Sequence, residues 1–155
     1  MHILIATDAQ WVLNEIQAVF GSSSTTIQVV TNGRLVSPAV AERTPDIAIL
    51  DMQVGSMGGM AITMDLRLDH SSGALSNVPI LMLLDREADV HMARRSGANG
   101  WIIKPLDALR LRKAVNAIVA GGCYAEGVPV PEAIVEEVIA SVDEAAEPAA
   151  ELLNQ

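Results

Sequence analysis

The chain has 155 residues, of which 50% are apolar and 19% are charged, so it can build one domain with a full core. Its only cysteine, Cys123, excludes an internal disulfide, and no stretch approaches the roughly 18 apolar residues that a membrane span needs. We therefore expect a cytoplasmic protein without membrane insertion.

The formal net charge of −9 is unevenly distributed along the chain. Residues 86–113 carry seven basic residues against three acids, whereas residues 123–155 carry eight acids and no lysine or arginine. A basic band followed by an acidic tail argues against a nucleic-acid surface, because the tail would compete with phosphates for the same cations. Protein partners, or the protein's own tail, are the better expectation.

Five apolar runs of strand length alternate with stretches whose apolar residues recur at helical spacing. The predicted strands are residues 2–6, 26–30, 47–50, 80–84 and 101–103. Helical spacing is clear after the fifth run, where Leu111, Val115 and Ile118 recur. Strands that alternate with helices predict βαβ units, and hence a doubly wound α/β domain with a parallel sheet and five helices over residues 1–122.

The residues after Gly122 predict an acidic tail, residues 123–155. Pro131 followed by Glu132 is a favourable helix start, and an apolar stripe follows it, so we expect one short helix over about residues 131–142. Beyond it, the Ala/Glu/Pro composition is typical of a disordered end. We expect neither a second domain nor a DNA-binding module in this length.

Three of the predicted strands run into a charged side chain: Asp8 follows the first, Asp51 the third and Lys104 the fifth. The carboxyl ends of parallel strands meet at one edge of the sheet, which is where open α/β sheets bind ligands. Two carboxylates and an ammonium gathered there predict a small site for a cation and a phosphoryl group. One of the carboxylates would be free to act as a nucleophile.

These residues belong to a longer pattern formed by three motifs, which are Asp51-Met52-Gln53-Val54-Gly55-Ser56-Met57-Gly58-Gly59, Ser96-Gly97-Ala98-Asn99-Gly100-Trp101 and Lys104-Pro105. In this order and spacing, residues 1–120 resemble the CheY-like receiver domain of bacterial two-component response regulators. The resemblance implies a flavodoxin-like fold with strand order 2-1-3-4-5 and a cis bond before Pro105. It also implies that Asp51 is the phosphoacceptor, that Lys104 pairs with the phosphoryl oxygens, and that Mg²⁺ is bound by Asp8, Asp51 and the backbone carbonyl of Gln53.

The chain departs from the family pattern at several positions. Thr7 stands where receivers carry a second adjacent acid, which predicts weaker Mg²⁺ binding. Leu84 stands where receivers carry a Ser or Thr whose hydroxyl moves to the phosphoryl group. We expect Leu84 to fill that space permanently and to hold the switch aromatic, Trp101, in one state. The connection from Leu84 to Gly97 is also shorter than usual, which predicts a less mobile fourth helix, and Gly55 replaces a common proline at the cost of some rigidity.

The resemblance implies a stand-alone, atypical receiver in phosphorelay signal transduction, which is not an enzyme and acts by binding other proteins, a sensor histidine kinase among them. In receivers, the face of helix four, strand five and helix five is the usual partner or dimer surface. The basic residues that map onto this face are Arg94, Arg95, Arg110, Arg112 and Lys113. We expect the acidic tail to dock there, in its own subunit or in a second one.

Two modes of action stay open. Asp51 is phosphorylated but couples poorly to the partner face, or the domain is a pseudo-receiver that serves as a phosphorylation-independent adaptor; Thr7 and Leu84 favour the second mode modestly. Two other classes fit less well. A haloacid-dehalogenase-type phosphatase would need a second aspartate two residues after the nucleophile, and a flavin-binding protein would need a phosphate-cradling loop where Asp8-Ala9-Gln10-Trp11 stands. We expect Trp11 to pack on its helix face rather than to cover the site.

Overall fold

A computed structural model describes residues 1–127 of the chain. The strands are β1 (His2–Ala6), β2 (Thr26–Val30), β3 (Ile47–Asp51), β4 (Ile80–Leu84) and β5 (Gly100–Ile103). The helices are α1 (Gln10–Phe20), α2 (Val36–Glu42), α3 (Gly59–Ser71), α4 (Val90–Ser96) and α5 (Ala108–Val119). Each predicted strand agrees with an observed one to within a residue at either end, and the helix predicted over residues 131–142 lies outside the described residues.

The strands form a parallel sheet in the order β2-β1-β3-β4-β5. Ala6 of β1 stands beside Leu50 of β3, and Asp51 stands beside Leu83 of β4. The carboxyl ends of β1, β3, β4 and β5 therefore meet at one edge. This is the flavodoxin-like arrangement that the sequence predicted, and it is confirmed.

Side chains that alternate along the strands build a core on each face of the sheet. Ile3, Ile5 and Ile49 face the side covered by α1 and α5, and they are fully buried. Leu4, Ala6 and Leu50 face the side covered by α2 and α3. Since both faces are covered, the strands read as continuous apolar runs, as is typical of parallel sheets.

A glycine allows α3 to begin directly against the end of β3. A Cβ at Gly59 would lie 2.8 Å from the backbone oxygen of Asp51, a distance that no side chain tolerates. The Gly59 N–H donates to the Met52 carbonyl at 3.2 Å. The loop after Asp51 is thereby held close to the strand that carries Asp51.

The first residues after α5 lie along the outer edge of the sheet. Tyr124 forms a parallel bridge with Gly100, and the Trp101 N–H donates to the Tyr124 carbonyl at 2.9 Å. A Cβ on Gly100 would lie 2.4 Å from that same carbonyl oxygen, so only glycine permits the approach. Part of the predicted acidic tail therefore covers the edge of β5, which would otherwise offer unpaired backbone groups. Within residues 1–127, the helices are all too short or too polar to cross a membrane.

Candidate functional site

Asp51 ends β3 and is 2% exposed, yet both of its carboxylate oxygens are bonded. Oδ1 accepts from the Lys104 ammonium at 2.8 Å and from the Gln53 backbone N–H at 3.2 Å. Oδ2 accepts from the Thr7 hydroxyl at 2.9 Å. A buried carboxylate is costly unless it is paired and hydrogen-bonded, and these three donors meet that need.

Lys104 joins two carboxylates. Its ammonium donates to Asp51 at 2.8 Å and to Asp85, the residue after β4, at 3.0 Å. Burial of the ammonium works to lower the pKa of Lys104, but the hydrogen bonds to Asp51 and Asp85 outweigh it and place the pKa above its ordinary value. The peptide bond to Pro105 is cis, as the resemblance implied.

The ring of Trp11 covers the ammonium of Lys104, whose Nζ lies 5.6 Å from the ring centroid. Trp11 is 48% exposed, so it lies over the mouth of the site. Helix-face packing was the expected role, but Trp11 lies in the first turn of α1, which begins at Gln10, and its ring contacts the ammonium of Lys104 instead. An ammonium over an indole face is a favourable cation–π pair.

Thr7 occupies the position at which receivers carry an acid, and its hydroxyl has a fixed role. Thr7 Oγ1 accepts from the Ala9 N–H at 3.1 Å, so its own proton is directed to Asp51 Oδ2. Thr7 is 2% exposed. One oxygen of Asp51 is thus satisfied by a neutral donor.

Asp8 is held by the loop that follows Asp51. Its Oδ2 accepts from the Gly55 N–H at 3.1 Å, and a Cβ on Gly55 would lie 3.1 Å from that oxygen. Proline has no N–H to donate. The glycine at position 55 therefore positions an acid of the site, a role beyond the loss of rigidity expected from the sequence.

The donor set suits a weak divalent-cation site. Mg²⁺ typically takes one or two carboxylates together with waters and phosphate oxygens, and Asp8 and Asp51 supply two carboxylates beside the Gln53 backbone. Among residues 1–127, no group of three or more His, Cys, Asp or Glu side chains is placed to hold a metal. The residues fit Mg²⁺, but with a low carboxylate count.

Leu84 and Trp101 pack together below α4. Leu84 is fully buried, and it belongs to a cluster with Met82, Ala93 and Trp101, which is 7% exposed. The Trp101 indole N–H donates to the backbone carbonyl of Glu126 at 2.7 Å. The guanidinium of Arg94 lies 5.8 Å from the centre of the ring.

The carboxylate of Glu126 gathers donors from three directions. It accepts two bonds from the Arg110 guanidinium, one from Nε at 2.8 Å and a second, short one from Nη2. It also accepts from the Ile103 N–H at 2.9 Å and from the Tyr124 hydroxyl at 3.0 Å. Burial works to raise the pKa of Glu126, but these bonds outweigh it and hold the pKa below its ordinary value. The start of the tail is thereby fixed to β5 and α5.

The five basic residues predicted for the partner face differ in their exposure and contacts. Arg94, Arg95, Arg112 and Lys113 are exposed. Arg110 is only 33% exposed and donates to Glu126 and to the carbonyls of Ile103 and Pro105. Arg110 thus holds the tail of its own chain, and the other four remain on the surface.

Sequence reasoning brought Asp8, Asp51 and Lys104 together and overlooked two acids. Asp85 follows β4 directly, so it could have been found, like the other three, as a charged residue at the carboxyl end of a predicted strand. Glu126 gave no such signal, because it was grouped with the acids of a tail whose position composition cannot fix.

Comparisons with known proteins agree with this geometry. A sequence model described as "Response regulator receiver domain" matches residues 3–116. The protein PilH of Pseudomonas aeruginosa is 27% identical over 120 residues, which cover 77% of this chain and 98% of PilH. The DNA-binding response regulator MtrA of Mycobacterium tuberculosis is 30% identical over 118 residues, 75% of this chain, but the match covers only 49% of MtrA.

A solved structure has the same fold. It is the receiver domain of a sensor histidine kinase from Pseudomonas aeruginosa, solved with a magnesium ion coordinated in its active site cleft. The two folds superpose with a TM-score of 0.66 at 20% identity, over 77% of this chain and 97% of the other. The chain belongs to the response regulator receiver family, and its class is that of two-component phosphorelay signalling domains.

Proposed function

We propose that this domain is an atypical receiver that accepts a phosphoryl group at Asp51 and passes the signal to other proteins through the face of α4, β5 and α5. The observation that carries the proposal is the contact of 2.8 Å between the Lys104 ammonium and the buried carboxylate of Asp51. It keeps a nucleophile and its cationic partner together. A domain that had lost the reaction would have no catalytic need to keep this contact.

The reaction needs the residues already described, a bound Mg²⁺ and a phosphodonor. With acetyl phosphate as donor, a carboxylate oxygen of Asp51 forms a bond to phosphorus while the bond from phosphorus to the acetyl oxygen breaks. The electron pair leaves with acetate, and Asp51 becomes an acyl phosphate. Lys104 binds the phosphoryl oxygens, and its positive charge stabilises them.

Magnesium is part of this proposal. Asp8, Asp51 and the Gln53 backbone carbonyl would hold Mg²⁺, which supplies further positive charge beside the transferring group. Thr7 supplies a neutral donor where a third carboxylate would increase the affinity. We therefore expect weak Mg²⁺ binding, so that the site fills only at Mg²⁺ concentrations on the order of millimolar.

The surface that we propose for partner binding is defined by four exposed basic residues. Arg94 and Arg95 on α4, with Arg112 and Lys113 on α5, form a basic face suited to an acidic protein surface. A sensor histidine kinase as phosphodonor belongs to the proposal. A second copy of this domain through the same face is the less favoured partner, because it would bring the exposed cations of both copies together. The Trp101 bond to Glu126 supports a β5 that keeps one conformation within this face.

A second candidate is the phosphorylation-independent adaptor. It is favoured by Leu84, which is fully buried beside Trp101 and has no hydroxyl for a phosphoryl oxygen. In that case Asp51 and Lys104 would be a structural ion pair. Partner binding would then be independent of any change at Asp51.

The test is the intact mass of the purified chain after incubation with Mg²⁺ and acetyl phosphate. We expect wild type to gain the mass of one phosphoryl group and Asp51→Asn to gain none. Asp69→Asn, which removes the same charge near the end of α3, is the matched control and should behave as wild type. The absence of a gain in wild type at high Mg²⁺ would contradict the proposal and favour the adaptor.

A further inference from the structure

Lys104 is shared by two carboxylates of different character. Asp51 is buried, whereas the side chain of Asp85 is 37% exposed at the start of the connection from β4 to α4. Both bonds use N–H groups of one ammonium, which has three donors in all. A phosphoryl group on Asp51 would bring further oxygens to the same ammonium. Asp85 therefore occupies one of the three N–H donors for which those oxygens would compete.

We propose that Asp85 is a built-in competitor for Lys104, and that phosphorylation of Asp51 draws the ammonium away from Asp85 and so releases the connection from β4 to α4. The inference rests on the proposed function, since it requires a phosphoryl group on Asp51. Asp85 acts through Lys104 and is therefore a positioning residue. It gives this domain a switch that does not need the hydroxyl absent at Leu84.

The direction of the exchange follows from charge and exposure. A phosphoryl group carries between one and two negative charges and is attached to the carboxylate that Lys104 already binds. Asp85 carries one charge and is exposed enough for water to solvate it when the contact breaks. The side chain of Lys104 is only 10% exposed, so its ammonium stays in the site.

The contact reaches the entry of α4. Asp85 is followed by Arg86, which pairs at 2.8 Å with Asp89, an acid that is 2% exposed and directly precedes α4. Release of Asp85 frees the backbone at the beginning of this short connection. Leu84 and Trp101 remain packed, so the response is confined to the loop and to the helix that follows it.

The first test is the rate of phosphorylation by acetyl phosphate, followed by intact mass in Asp85→Asn, Asp85→Glu and wild type. We expect Asp85→Asn to react about two- to tenfold faster at low donor concentration, mainly through a lower donor concentration for half-maximal rate. Asp85→Glu keeps the carboxylate and should resemble wild type. Glu87→Gln, which removes the same charge from the same exposed loop, separates competition for Lys104 from a general loss of negative charge.

The second test is hydrogen exchange of the amides of residues 86–89. Phosphorylation should speed their exchange in wild type, whereas Asp85→Asn should exchange fast before phosphorylation and change little after it. Equal rates for wild type and Asp85→Asn, with unchanged loop exchange, would overturn the competitor role and leave the proposed function standing. No mass gain in any variant would overturn the proposed function, and the competitor role with it.

Discussion

The indole N–H of Trp101 donates to the backbone carbonyl of Glu126 at 2.7 Å, so the aromatic residue of β5 is held by a segment that follows α5. The Glu126 side chain completes the contact by binding Arg110 of α5 and the Ile103 amide of β5. One acid of the predicted tail thus meets one residue of the predicted basic band within the same chain. The rest of that tail, from residue 128, lies outside the described residues.

Removal of the Glu126 carboxylate should loosen this segment. Glu126→Ala leaves the Arg110 guanidinium and the Ile103 amide without their partner, and we expect it to lower the free energy of unfolding by about 1–3 kcal/mol. In a Trp11→Phe background, the fluorescence of Trp101 should shift to longer wavelength because its indole gains contact with water. Hydrogen exchange of the Ile103 amide should become faster.

Asp69→Asn serves again as the control, since it removes a charge from α3 and should leave the fluorescence of Trp101 unchanged. An unaltered emission maximum and unaltered Ile103 exchange in Glu126→Ala would show that the segment does not depend on this carboxylate.

The contribution of Glu126 should depend on pH in one direction. Its pKa is lowered in the folded chain, so its stabilising effect is fully present above the ordinary glutamate pKa of about 4.5 and is lost as the pH falls through the lower folded value. The measurement is the difference in unfolding free energy between wild type and Glu126→Gln, which cannot titrate. We expect a constant difference from pH 6 to 7 that shrinks below about pH 4.5; a difference that grows on acidification would contradict this assignment.

A carboxylate at position 7 should increase the affinity for Mg²⁺. Thr7 is 2% exposed and bonded to Asp51, so Thr7→Asp places two carboxylates together and should destabilise the domain without metal. Added Mg²⁺ should then raise its melting temperature more than that of wild type, with about tenfold tighter binding. The control is Thr7→Asn, whose side chain has nearly the shape of aspartate but no charge. An equal effect of Mg²⁺ on the melting temperatures of the Thr7→Asp and Thr7→Asn variants would argue against a cation site here.

A hydroxyl at position 84 should be costly for stability. Leu84 is fully buried, so Leu84→Thr both removes apolar volume and buries a hydroxyl, and we expect a loss of about 2–4 kcal/mol. Leu84→Val loses volume alone and should cost about 1 kcal/mol. Chemical denaturation checks both values; equal losses for the two variants would mean that the hydroxyl finds a partner in the unphosphorylated domain.

The parallel sheet and the meeting of Asp8, Asp51 and Lys104 were predictable, because strand length, alternation with helices and strand-end position are all local properties of the sequence. The strand order came from the resemblance to receiver domains. The hydrogen-bond partners of these residues were harder to predict. Four charged residues, Asp85, Arg86, Glu87 and Asp89, crowd one short connection, and the path of the backbone decides that Asp85 reaches Lys104 while Asp89 turns inward.

The covering of β5 by Tyr124 and Glu126 was beyond sequence reasoning for a different reason. Composition identifies an acidic segment, but its docking depends on the absence of a side chain at Gly100 and on the direction of Arg110. Trp11 shows the same limit, because helical periodicity does not say which residue of the first turn faces a neighbouring strand end.

The fluorescence of Trp101, measured on protein phosphorylated at Asp51, tests together the retained reaction at Asp51 and the fixed position of the aromatic residue on β5. The sample is Trp11→Phe protein whose phosphorylation at Asp51 is verified by intact mass, with Asp51→Asn in the same background as control. We predict a full mass gain with an unchanged Trp101 emission maximum, since Leu84 and Glu126 hold the indole. A failure to gain mass, or an emission maximum that moves to longer wavelength with the acyl phosphate, would contradict the account.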